Sequence, residues 1–320
     1  MHEPGQWDPV EAGWIVQEKL LGINNIKMNN LTISSMKRNV IMKIAGMVAM
    51  ILLVSAPAIN VYSQDEDKPV RKVFESISLI ENQTTENLYQ GGLKFEISHR
   101  FSQIEEISDL FGIYGSANTR LALDYGIRDR IMVGFGTTRD YKLQDLEWKI
   151  SLLKQTESGK IPVSVSYYGN AVLDARSDDN FGPEESYRFI HRLSYLTQLI
   201  VSRKFGEKVS LQMSPSFAYF NAVDPGYKNA NFDISFGGRA QVLGLNSIIF
   251  EYDQPLTQGD GVETHPNIAA GVEIGTSTHA FRLFVSNYNA IIKQRNMVYN
   301  SNDPFDGDFL FGFNISVALR

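Results

Sequence analysis

From Gly91 to the end of the chain, apolar and polar residues alternate with a period of two in runs of about 9 to 12 residues. No stretch in this region holds a 3.6-residue apolar period long enough to build a helical domain. Around Leu121, the residues Ala117, Leu121, Leu123 and Tyr125 share one parity, and Asn118, Arg120 and Asp124 share the other. Ile131, Val133 and Phe135 oppose Gly134, Gly136 and Thr138; Val209, Leu211, Met213, Phe217 and Tyr219 oppose Ser210, Gln212, Ser214 and Ser216. Phe232, Ile234 and Phe236 oppose Asp233, Ser235, Gly237 and Arg239, and the last run sets Phe309, Phe311, Phe313, Ile315, Val317 and Leu319 against Gly312, Asn314 and Ser316. The pattern predicts about twelve strands, at 91–101, 116–126, 130–138, 146–154, 161–172, 188–202, 208–220, 231–242, 247–256, 266–276, 280–289 and 308–319. Their length suits a tilted membrane strand.

The connections repeat the message. Links after even-numbered strands are short, such as Ile127-Arg128-Asp129 and Ser277 to His279; most after odd-numbered strands are long, such as Leu173 to Tyr187 and Ala290 to Gly307. Short turns at one rim and long loops at the other are the signature of a barrel threaded from the periplasm, which puts both ends of the barrel domain on the periplasmic side. A soluble β-sandwich also alternates, but its strands are nearer five or six residues. Aromatics near strand ends (Tyr125, Tyr168, Tyr219, Tyr252, Tyr288) are expected to form interfacial girdles. The predicted fold is therefore an all-β transmembrane antiparallel barrel of about twelve strands, at residues 91–320.

The one long apolar run, Ile44 to Val54, follows Lys37, Arg38 and Lys43 and precedes Ala56-Pro-Ala58 and Val61-Tyr-Ser-Gln64. It is about half the roughly 20 residues a spanning helix needs, so residues 36–63 read as a secretory signal peptide cleaved after Ser63, with Ala58 the second choice. Residues 1–35 fit neither role and read as an extension ahead of a true start at Met36 or Met42. Residues 64–90 are polar with one weakly apolar stretch, Val73 to Ile80, and are expected to be a periplasmic linker, an extra strand or a plug. The expected location is the outer membrane.

Composition alone would look soluble, with 43% hydrophobic and 21% charged residues, because alternation averages out. The absence of Cys excludes disulfides, thiol nucleophiles and a lipidated cysteine. A net charge of −6 without a basic run gives no attraction for nucleic acid.

Several short motifs carry a family resemblance: Gly92-Leu-Lys-Phe-Glu-Ile-Ser-His-Arg-Phe101, Ser116-Ala-Asn-Thr-Arg120 with Asp124-Tyr-Gly-Ile-Arg-Asp-Arg130, Leu193-Ser-Tyr-Leu-Thr-Gln-Leu199 with Ser202-Arg-Lys-Phe205, and Phe311-Gly-Phe-Asn-Ile-Ser316. Together they resemble an uncharacterised outer-membrane β-barrel family of Bacteroidota, over most of residues 70–320. The resemblance implies a membrane barrel and a Bacteroidota-type host, and no reaction.

Candidate chemistry lies on the inward parity: Arg120, Asp124, Glu147, Lys149, Arg192, Asp233, Arg239, Glu251, Asp253, Glu273 and Arg282. Charge facing lipid would cost roughly 2–4 kcal/mol per Arg or Lys at the midplane, which explains the placement. Two readings stay open: an aqueous pore whose charges select solutes, and a lumen closed by salt-bridged side chains. The expected function is a passive channel for small polar solutes, with outer-membrane lipid as its other contact. The alternative is a non-conducting docking barrel acting through its long outer loops. A lipid hydrolase is a third reading, and it is disfavoured because neither His99 nor His191 sits in a His-x-Ser pair; no enzyme is expected. No cofactor or metal is expected either. His265 and His279 lack ligand spacing, and the acidic loop Asp303 to Asp308 lacks the alternation of an EF-hand. Gly134, Gly136, Gly237 and Gly238 are expected to serve close packing within strands.

Overall fold

The computed structural model describes residues 67–104, 108, 112–181 and 185–319, so the extension at 1–35 and the signal peptide at 36–63 lie outside the described residues. The strands are β1 (Leu93–Gln103), β2 (Asn118–Arg128), β3 (Ile131–Thr138), β4 (Leu143–Leu153), β5 (Ser164–Asp174), β6 (Leu193–Phe205), β7 (Val209–Phe220), β8 (Ala230–Leu243), β9 (Asn246–Pro255), β10 (Asn267–Gly275), β11 (His279–Ser286) and β12 (Leu310–Ala318). Each pairs antiparallel with its sequence neighbours, and β1 pairs with β12 from Lys94↔Ala318 to Arg100↔Gly312, closing the barrel. Closure satisfies the backbone of every strand and leaves no free edge, the condition a sheet must meet to cross hydrocarbon.

The faces are inverted relative to a soluble barrel. On β2, Asn118, Arg120, Ala122 and Asp124 are buried, whereas Leu121 and Leu123 are 43% and 45% exposed. The same holds around the wall, where Leu146, Phe232, Ile248 and Leu283 stand exposed outside and Glu147, Asp233, Ser247 and Arg282 are buried inside. A belt of exposed Leu, Ile and Phe over a buried polar lining fits lipid outside and polar matter inside. The links after β2, β6, β8 and β10 have two or three residues and that after β4 has ten, whereas the long links 175–192 and 287–309 lie at the other rim.

Two pieces of chain enter the lumen. The first is residues 73–86, which lead up to β1. Ser78 bridges Gln83, and Leu79 N–H donates to Asn82 O at 2.8 Å, so its centre is a tight two-sided turn. Val73, Phe74, Leu79 and Ile80 pack on an apolar pad of inward residues, Ile249, Ala269, Phe284 and Tyr288. The second is a short helix, α1 (Lys293–Tyr299), in the β11–β12 link. Its Met297 and Val298 pack on a second pad formed by Tyr168, Leu196, Ile200, Ala218 and Phe220.

Three expectations need correction. Strand six begins at Leu193, because Phe189–Arg192 turns as a 3-10 helix. Arg192 therefore leaves the strand wall: its guanidinium donates to Tyr187 Oη and Arg176 O of the β5–β6 link and to Asp174 O at the end of β5. Tyr168 belongs to no girdle, since it points inward and donates to Glu147 Oε2 at 2.8 Å. Tyr288, beyond the end of β11, is buried against residues 73–80.

Candidate functional site

The inner wall organises its charges in two manners. On β1, β2, β10 and β11 the ions pair with one another. Lys94 bridges Glu96 (3.0 Å) and Asp124 (3.2 Å), and Arg282 bridges Glu96 (3.2 Å) and Glu273 (3.1 Å). Arg239 on β8 joins this chain through Glu273 at 3.5 Å and reaches Glu75 of the inserted chain at 3.6 Å. Beside it, Arg120 grips Asp145 with Nε (3.0 Å) and Nη2 (2.6 Å), a fork geometry that fixes both partners, and lies 3.4 Å from Glu147. The glycines of β3 make room for this cluster. A Cβ at Gly134 would collide with Asp124 and Glu147, and one at Gly136 with Arg120 and Asp145.

The carboxylates of β8 and β9 depend instead on the inserted chain. Glu251 accepts three successive backbone N–H groups, from Ile80 (2.8 Å), Glu81 (3.0 Å) and Asn82 (2.8 Å). Consecutive amides converging on one anion form a nest, which holds a carboxylate well out of water. Asp253 accepts from Asn82 Nδ2 at 2.8 Å and pairs with Lys293 of α1 at 2.9 Å, and Asp233 lies 3.7 Å from the same ammonium. Strands β4, β12 and β6 add further anchors. Lys149, fully buried, donates to Ile77 O (2.8 Å) and Gln83 Oε1 (2.9 Å), and Asn314 donates to Ile80 O at 2.6 Å. Thr85 and Ser202 share a hydroxyl bond at 2.5 Å. The helix and the inserted turn also touch each other, Asn296 Nδ2 donating to Glu81 Oε1.

Of the residues singled out from the sequence, Arg120, Asp124, Glu147, Lys149, Asp233, Arg239, Glu251, Asp253, Glu273 and Arg282 are all buried on inner strand faces, and Arg192 is not. Arg192 lines a cavity of about 510 Å³ at the long-loop rim, together with Tyr141, Asp174, Arg176, Phe181, Asp224, Arg295 and Tyr299. Arg176 is paired with Asp174 there, Nη2 to Oδ2 at 2.7 Å, and that hydrogen bond holds its guanidinium above the ordinary arginine range. Burial pushes the Tyr299 phenol up to about 12, so it stays a neutral donor at any physiological pH.

The remaining candidates have structural partners. His99 stacks on Phe313 at 5.0 Å, meets Phe101 edge-on at 4.5 Å, and its Nδ1 lies 2.9 Å from Thr119 Oγ1. His191 Nδ1 accepts from Arg188 N–H at 3.3 Å. In the acidic loop, Asp303 and Asp308 accept backbone N–H groups from Phe305 (2.8 Å) and Asp303 (3.0 Å), so the loop caps itself. Among the described residues no His, Asp and Glu group has the arrangement to hold a metal ion.

No curated protein matches this chain. Among solved structures, it is similar to the NanC porin at 6% identity and a TM-score of 0.46, covering 71% of this chain and 99% of that one. It is similar to an outer membrane channel from Pseudomonas putida F1 at 10% identity and 0.43 (73% and 98% covered). LpxR from Salmonella typhimurium aligns at 10% identity and 0.35 (70% and 99% covered). A family model matches residues 74–319, which takes in both the wall and the inserted turn, and the chain belongs to the family described as Membrane bound beta barrel domain (DUF5777).

Proposed function

We propose that this outer-membrane barrel is a passive channel for small polar solutes, closed in the conformation described above by residues 73–86 and α1. The observation that supports this reading is how the closure is attached. Among the described residues, no backbone–backbone hydrogen bond joins residues 73–86 to a strand; the segment is held by side chains and by its own turn. It can therefore leave the lumen without opening the sheet. Once it leaves, the wall it uncovers is charged and wettable, as a path for polar solutes needs to be. The barrel acts by passage rather than catalysis, bathed in outer-membrane lipid on its outer face, in a Bacteroidota-type host.

A second reading, a permanently closed docking barrel, draws on the apolar pad of Ile249, Ala269, Phe284 and Tyr288, which fits the inserted residues as a core rather than as a pore lining. A reversible lock separates the two. The chain has no Cys, so the double variant Thr85→Cys/Ser202→Cys places one new disulfide between plug and wall, where the hydroxyls already touch at 2.5 Å. In planar bilayers the unmodified protein is expected to show voltage-induced conductance steps, absent in the oxidised variant and restored by reductant. A folded barrel silent in every state would reject the channel, and steps indifferent to the lock would reject residues 73–86 as its closure.

A further inference from the structure

We infer that the cavity at the long-loop rim binds a small organic anion: a carboxylate carried on a body of about monosaccharide size. The inference deepens the channel reading by naming the solute class that meets the barrel first. Charge is the first argument. Arg176 is neutralised by Asp174 at 2.7 Å. Arg192 and Arg295 have no carboxylate within ion-pair distance among the described residues. The hydrogen bonds of Arg192 go to a phenol and two carbonyls, all neutral acceptors. Arg295 lies face-on over Tyr141, 3.6 Å from the ring centroid, and 4.8 Å from that of Tyr299. A guanidinium stacked this way is oriented by the ring, while its N–H donors point outward in its own plane, the direction from which a carboxylate binds in a fork. Among the described residues that line the cavity, three arginines face two acids, Asp174 and Asp224, with Asp140 acting on Arg295 from outside the lining.

Backbone strain is the second, independent argument. Tyr141 and Lys142 hold φ of +59° and +49°. That left-handed region costs a residue with a Cβ roughly 1–2 kcal/mol, and such strain collects where a ring or donor must be aimed. The strained link between β3 and β4 sets the Tyr141 ring within 4.4 Å of the Arg176 guanidinium carbon as well as against Arg295. Size is the third. About 510 Å³ lies within the range of small-molecule sites and exceeds what a bare inorganic anion fills. Val172, Val223 and Pro225 supply an apolar floor for the body of the solute.

Titration calorimetry of the refolded full chain in detergent tests this with three probes: glucuronate, glucose and inorganic sulfate. Glucuronate is expected to bind, glucose to give no measurable heat, and sulfate to bind at least about 10-fold more weakly. Arg295→Gln and Arg192→Gln are each expected to weaken glucuronate at least about 10-fold. Tyr141→Gly removes the ring at a position whose φ glycine adopts freely, so it keeps the fold even if an arginine variant does not, and it too is expected to weaken binding. Absence of glucuronate binding, equal binding of sulfate, or an affinity unchanged in Tyr141→Gly would overturn the site. Calorimetry needs no conduction: a silent barrel that binds glucuronate rejects the channel alone, and a conducting barrel that ignores it rejects this site alone.

Discussion

The two sides of the lumen solve the same electrostatic problem differently. Around β1, β2, β10 and β11, five buried ions find their counter-ions on the wall itself, through the chain Asp124–Lys94–Glu96–Arg282–Glu273. Around β8 and β9, Asp233, Glu251 and Asp253 are met by the amides of Ile80 to Asn82 and by Lys293, all of which belong to inserted chain. Buried charge is tolerated only when paired and hydrogen-bonded. One side is thus complete as a barrel, and the other is complete only as a filled barrel. Emptying the lumen would leave the ion pairs of the first side in place and strip Asp233, Glu251 and Asp253 on the second of their partners.

Lys293→Met puts the contrast under the heaviest load. It strips the ammonium from Asp253 and Asp233, and breaking a buried pair of this kind costs about 3–5 kcal/mol. The urea midpoint of the refolded barrel is the readout. Glu251→Gln should cost less, about 2 kcal/mol, since the three amides keep a neutral acceptor. Its mark is local: residues 73–86 become markedly easier to cleave by protease while the barrel keeps its heat-modifiable gel mobility. Arg282→Met on the self-paired side is expected to cost about 1–2 kcal/mol, because Lys94 and Arg239 still face Glu96 and Glu273. A cost for Arg282→Met matching that of Lys293→Met would erase the distinction between the two sides. At the bottom of the scale, Lys72→Ala removes an exposed rim pair with Glu75, 3.2 Å apart, and should shift stability by less than about 1 kcal/mol.

Much of the wall is legible in the sequence because its signal is local and repeats. The run expected at 208–220 is observed at Val209–Phe220, and the one expected at 247–256 at Asn246–Pro255. Period two deceived at residues 188–192, where the alternation continues but the backbone turns to bring Arg192 to carbonyls at the end of β5 and in the link after it. It also misled at Tyr168, an aromatic expected near a strand end that lies within β5 with the inward parity and a carboxylate to bond. What fills the lumen had little local signal. Val73 to Ile80 is only weakly apolar, and its partners Lys149, Glu251 and Asn314 lie far along the chain. The helix α1 has no side-chain N-cap and buries Lys293, Gln294 and Asn296, residues whose types argue for solvent. The arginine and aromatic cavity gathers side chains from four separate links, and no spacing in the sequence announces it.

The seam between β1 and β12 has a consequence for the order in which the molecule assembles. Its contacts are among the most distant in the chain: Arg100 donates to Asn314 at 2.9 Å, and Asn314 in turn holds Ile80. Contacts so far apart in sequence form late, after the long intervening loop has been organised. Residues 73–86 precede every wall strand in the chain, yet the last strand, β12, supplies one of their anchors. The segment's full set of anchors is therefore complete only once β12 is in place, and the closed seam then holds it by side chains alone. On this view the inserted turn is also a mandrel, a form on which the wall is wound, and its hold on Glu251 of β9 prepares the final strands to meet the first.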